Sequence, residues 1–157
     1  MRKTMKVPML VTLLFLLTVA RLPLQAQVLP GQHPGYLRAL TDLRNARWLL
    51  YHQAGDTKVY EGEDYAIQQI EVAIGDIKAA SIDDGKNLND HPVVDLHDKG
   101  SRLARALDDL HAARNKISGE EDDPTAHDLR RRSFEAIDRA ISATNKAHDA
   151  WLKDNHH

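Results

Sequence analysis

The chain has no cysteine, and its only methionines, Met1, Met5 and Met9, lie at its extreme start. Without thiols there is no disulfide, no thiolate nucleophile, no iron–sulfur cluster and no covalently attached haem. Once the first residues are set aside there is no thioether ligand for haem or copper either. Aromatic residues make up 5% of the chain. Beyond the first 26 residues no apolar run approaches the length needed to span a bilayer. Also missing are a phosphate-cradling glycine loop, a Gly-x-Ser-x-Gly elbow and a His-Glu-x-x-His helix. An exported domain of this composition is held by its core alone.

What stands at the start is informative. The basic "MRKTMK", the apolar "VPMLVTLLFLLTVA" and the short polar exit "RLPLQAQ" have the three-part form of a secretory signal peptide, residues 1–26, with cleavage expected after Ala26. Arg2, Lys3, Lys6 and Arg21 leave with it and no acidic residue does, so 17 basic side chains face 23 acidic ones and the mature charge is −6. Such a chain gains nothing from neutralising phosphates, so nucleic acid is excluded as a partner and "RRR" at 130–132 reads as a solvated helix face. The expected location is the periplasm or beyond, with no membrane attachment after cleavage.

The rest reads as helix. After a flexible segment, 27–35, Tyr36, Leu40, Leu43 and Leu50 recur at three and four, with Arg47 in the same seam, which predicts a helix to about Gln53. Ile67, Ile70, Ile74 and Ile77 form a second stripe, ending near Ser81 before Gly85. A third helix is expected from about Asp95, through Leu96, Leu103, Leu107, Leu110 and Ile117, with Arg114 in its seam and Gly119 as its stop. Asp123 as N-cap and Pro124 at the first helical position open a fourth, along Phe134, Ile137, Ile141, Thr144, His148 and Trp151 to about Lys153.

The stretch "RALTDLRNAR" at 38–47 returns as "RALDDLHAAR" at 105–114, and the same offset of 67 residues sets Ile67 on Phe134, Ile70 on Ile137 and Ile74 on Ile141. A helical hairpin written twice explains this: each copy is too small to bury its stripe alone, and the pair closes a bundle. The expectation is a single all-α domain, an up-down-up-down four-helix bundle over 36–153, with hairpins at about 36–82 and 95–153, a linker at 83–94 and a tail at 154–157. The offset also pairs Arg47 with Arg114 and Glu71 with Asp138. Two repeated seam ion pairs are therefore expected. It sets Asp56 on Asp123 as well, so the second helix could begin as early as Thr57.

Nine histidines are the compositional excess. Imidazole is a ligand for zinc, copper(II) or nickel, and His91, His97, His111 and His148 are the candidates. His97 and His111 share a helix face but stand about 21 Å apart by helical rise, too far to hold one metal. Asp108 with His111 is the nearest approach to a dimetal motif, on a single helix. His148 is the one histidine that pattern places toward the core. The segment "SIDDGKNLNDHPVVDLH", 81–97, has no counterpart in either copy and is rich in hard oxygen donors. Asp83, Asp84, Asn87, Asn89, Asp90, His91 and His97 are the candidate binding surface, with calcium conceivable though the order is not that of an EF-hand. The plainer reading is a linker built on Asx turns. Trp48, Leu49 and Tyr51 are the candidates for an exposed apolar patch.

The segments "HPGYLRALTDLRNAR" and "ASIDDGKNLNDHP" resemble those of a group of short exported proteins of environmental bacteria with no assigned activity. The resemblance implies an exported helical protein and carries no catalytic residue. More distantly, length, export and helix count are similar to the periplasmic four-helix b-type cytochromes, but the axial methionine is missing and no haem is expected. The function that results is a non-enzymatic binding or interaction module with no cofactor, whose partner is a protein, a second copy of the chain or a small ligand. A His/Asp-based metal-binding protein is the alternative.

Overall fold

In a computed structural model of the chain the described residues are 34–52, 58–79, 86–93, 96–119 and 127–155. They form four α-helices: α1 Pro34–Tyr51, α2 Glu63–Ala79, α3 Lys99–Ser118 and α4 His127–Asn155. The signal peptide, Asp56, Thr57, Asp83, Asp84 and the Asp123–Pro124 start lie outside the described residues. Local chemistry sets the ends that can be seen. Pro34 opens α1, where a missing N–H costs nothing. Asp98, in extended conformation, caps α3 by accepting from the Ser101 N–H at 2.7 Å, so this helix begins four residues later than Asp95. Gly119 ends it. Gly62 precedes α2 instead of lying in its first turns.

The four-helix bundle expected from the repeat is the one the structure shows. α1 packs on α2 and α3, and α4 packs on α2 and α3, leaving α1/α4 and α2/α3 as diagonals. Directions follow from the side chains that meet. Lys116 reaches Asp42 while Asn45 reaches Asp109, so α3 runs against α1. Arg132 reaches Asp76 and Arg139 reaches Gln69, so α4 runs against α2. Up and down therefore alternate around the bundle, but along the chain the order is up, down, down, up, a correction to strict chain-order alternation. The reason is visible in the linker. α2 and α3 both run down, so the chain must climb back about 25 Å, the rise of a 17-residue helix, before α3 starts.

That climb crosses the outside of α1. Lys78 Nζ donates to the Lys86 carbonyl, Arg47 Nη1 to Asn89 Oδ1, and the His91 ring lies against Trp48. Pro92, Val93 and Leu96 then stand at the edge of a cleft between α1 and α3.

The core is aliphatic with alanine between: Leu40, Leu43, Ile70, Ile74, Leu103, Leu110, Ile117 and Ile137 are buried beside Ala39, Ala73, Ala106, Ala113, Ala140 and Ala147. Alanines on the inward faces let the helices approach closely. Phe134, Ile141 and Trp151 consequently pack at the margin of the core, where the sequence pattern had put them in its seam. Leu49, proposed for an exposed patch, is only 1% exposed, and of its trio Tyr51 alone is open.

Candidate functional site

The two pairs named by the offset are formed: Arg47 Nε lies 2.7 Å from Glu71 Oε1, and Arg114 Nε lies 2.5 Å from Asp138 Oδ1. Both are partly solvated, so each contributes at most about 1 kcal/mol. They are not the arginines the fold buries. Arg44 and Arg102 are fully enclosed, with Arg102 Nη1 donating to the His97 carbonyl at 3.5 Å. The three-four spacing sets Arg47 in the seam and leaves Arg44 outside it, so it points to the less buried of the two arginines. A buried ion pair was equally hidden: Lys99 Nζ lies 2.6 Å from Glu63 Oε2 across the bundle diagonal.

The linker residues proposed as a binding surface are not brought together as one site. Asn87 and Asn89 form an Asx turn, Asn89 N–H donating to Asn87 Oδ1 at 2.8 Å, and Asn87, Asn89 and Asp90 are exposed. The four candidate histidines are apart. His91 lies tilted against Trp48, whose ring stacks on His52 at 4.4 Å; His148 stacks on Trp151; His97 and His111 are exposed. Among the described residues no three His, Cys, Asp or Glu side chains are grouped to hold a metal ion.

What the linker does make is a cleft of about 400 Å³ between α1 and α3, lined by Thr41, Asp42, Asn45, Arg105, Asp109, Pro92, Val93 and Leu96. Its floor comes from the repeated motif itself, because Asp42 and Asp109 occupy the same place in the two copies. The antiparallel packing of α1 on α3 brings them to one cleft. Asp109 is 7% exposed; it accepts from Asn45 Nδ2 and lies 3.3 Å from Arg105 Nε. Asp42 is paired with Lys116 at 2.5 Å. Asn45 is 6% exposed, and its Oδ1 is buried with no hydrogen-bond partner among the described residues. Since the Asp109 carboxylate can only accept, Nδ2 must face it and Oδ1 is left over.

Burial pushes the Asp109 carboxyl above its ordinary value of 3.8; Asp42 adds to this, while Arg105 and Asn45 oppose it. A carboxyl whose native pKa is raised binds its proton more tightly when folded. Its contribution is unfavourable above the raised value and vanishes as pH falls toward the unfolded value. Asp109→Asn, which resembles the protonated acid, is therefore expected to be more stable than wild type at neutral pH. Its advantage should shrink as the solution is acidified. Urea midpoints for both proteins across that range test this, and a constant or reversed difference would refute it.

Comparisons with family models, with curated proteins and with solved structures return no match for this chain.

Proposed function

We propose that this chain is an exported, non-enzymatic binding module, and that the cleft between α1, α3 and the linker takes a small organic cation with a short apolar portion. One observation carries the reading. A largely buried carboxylate, Asp109, sits beside a buried acceptor without a donor among the described residues, Asn45 Oδ1, in a cleft whose lining also includes the apolar Pro92, Val93 and Leu96. An ammonium head supplies the donor that Asn45 Oδ1 lacks and a second cation beside Asp109, which Arg105 approaches at 3.3 Å from the partly exposed side. Export rests on the form of residues 1–26; no helix among the described residues is long and apolar enough to cross a membrane. Duplication of one hairpin is supported by the two ion pairs at equal offset and by the meeting of Asp42 with its counterpart at one cleft.

Thermal unfolding of the chain from Gln27 onward, with butylammonium as the probe and zinc, copper(II), nickel and calcium in parallel, tests this. A ligand that binds only the folded state at a hundred times its Kd adds about 2.7 kcal/mol, on the order of 10 °C in the midpoint. A saturable rise with butylammonium, lost in Asp109→Asn, is expected. A rise with a metal ion alone would replace this reading with the metal-binding one.

A further inference from the structure

The side of the bundle opposite the α1/α3 cleft carries a hollow of its own, about 420 Å³, where the entry of α2 meets α4. Its volume is within the roughly 300–1,000 Å³ of small-molecule sites. Gly62 and Ala143 are among its lining, so close that a Cβ at Gly62 would stand 2.5 Å from the Ala143 carbonyl oxygen. Longer side chains surround them. α4 supplies Arg139, Ser142 and Lys146, spaced three and four and hence on one face. α2 supplies Tyr65, 47% exposed, and the turn before it supplies Glu61.

Much of the hydrogen-bonding capacity here is unspent. Arg139 Nε donates to Gln69 Oε1 at 2.7 Å, but its Nη1 stands 3.9 Å from Glu135 Oε2, beyond hydrogen-bond length. Both Nη groups are therefore without an acceptor among the described residues. Lys146 gives one of its three donors to Glu61. The Ser142 and Tyr65 hydroxyls have no hydrogen-bond partner among the described residues, whereas Thr144, next but one to Ser142, donates to the Ala140 carbonyl. Two cations against one carboxylate give the lining a net positive charge, in a chain whose mature form is acidic. The duplication supplies a control. Sixty-seven residues before Arg139, Ser142 and Lys146 stand Val72, Gly75 and Ala79, and 67 after Tyr65 stands Arg132, paired with Asp76 at 2.9 Å. The equivalent place in the bundle is built without a cationic pair, so the fold itself does not require Arg139 and Lys146.

We propose that this hollow binds a small aromatic monocarboxylate. Its carboxylate takes the Nη donors of Arg139, the Lys146 ammonium and the Ser142 hydroxyl, and its ring lies against Tyr65. The lining's single excess positive charge suits one negative charge, because a dianion would set its second charge against Glu61. Both cations are exposed, Arg139 by 46% and Lys146 by 60% at the side chain, so the dissociation constant should be on the order of 0.1–1 mM.

Amide chemical-shift titration of the chain from Gln27 with benzoate, with acetate and inorganic phosphate in parallel, tests this without reference to the cation cleft between α1 and α3. Saturable shifts are expected at residues 61–65 and 139–146, with benzoate at least fivefold tighter than either comparator. Arg139→Gln should weaken benzoate at least tenfold. Glu61→Gln, which removes the competing carboxylate and frees the Lys146 ammonium, should tighten it about threefold. Tyr65→Ala should erase the advantage of benzoate over acetate. All three side chains are exposed, so each variant should keep close to the wild-type thermal midpoint. Absence of a saturable shift at tens of millimolar benzoate, binding indifferent to Arg139→Gln, or binding weakened by Glu61→Gln would overturn the proposal. Acetate or phosphate binding as tightly as benzoate would overturn the aromatic monocarboxylate as its ligand.

Discussion

Replacing Lys99 by methionine is expected to lower stability by about 3–5 kcal/mol, because it leaves Glu63 as a buried carboxylate without its cation. Glu63 is 1% exposed and Lys99 2%, so water cannot take the place of the lost partner. Glu63 also holds the start of α2: its Oε1 accepts from the Tyr60 N–H at 2.7 Å, and its own N–H donates back to the Tyr60 carbonyl at 3.2 Å. The carboxylate thus ties the entry of α2 to the first turn of α3 across the bundle diagonal. A domain stable by about 5–15 kcal/mol loses a large share of its margin in this one change. Adding Glu63→Leu to Lys99→Met should recover part of the loss, since an apolar pair of similar volume carries no desolvation cost. Recovery stays incomplete, because Tyr60 N–H then lacks its acceptor. Urea midpoints of the two single variants and the double one decide the matter. A Lys99→Met effect below about 1 kcal/mol, the range of a solvated pair, would show that the site is open to water.

How far the sequence reaches is clear from particular residues. Helical periodicity found all four helices, and the 67-residue offset found both Arg–carboxylate pairs, because i, i+3, i+4 spacing reports which face an element buries. Periodicity is silent about direction around the bundle. The long 81–97 segment was the available clue: a chain that must climb the length of α1 needs such a segment, whereas one joining adjacent helix ends does not. The cleft was missed for a related reason. In the sequence Asp42 and Asp109 are repeated letters of a motif, and only the antiparallel packing of α1 on α3 turns repetition into proximity. The apolar pattern is also wider than the face that is buried. Large residues such as Phe134 and Ile141 dominate a hydrophobicity count, while alanines at Ala140 and Ala147 decide which face fits closely between neighbours. Lys99 shows the remaining gap, since its charge is buried with a partner, Glu63, supplied from another helix, and single-helix patterns do not contain it.

Gly62→Ala is the other change expected to be severe, by on the order of 3–5 kcal/mol, from two causes acting together. Gly62 has φ of 113°, in a region that residues with a side chain avoid. A Cβ there would also stand 2.5 Å from the Ala143 carbonyl oxygen and 3.2 Å from its carbonyl carbon, so the entry of α2 and the backbone of α4 would have to part. The Gly62 carbonyl accepts the Ala66 N–H at 2.8 Å, and a shift of this residue loosens the first turn of α2 as well. Gly75→Ala provides the contrast: it lies mid-helix in open space, and should raise stability by about 0.5–1 kcal/mol through helix propensity alone. Thermal midpoints at low protein concentration are expected to fall for the first variant and rise for the second. Because the close contact at Gly62 is with a main-chain oxygen, trimming the neighbour's side chain cannot relieve it. Gly62→Ala combined with Ala143→Gly should remain at least as unstable as Gly62→Ala alone, and a double variant that regained stability would place the cost in side-chain crowding instead of in the backbone.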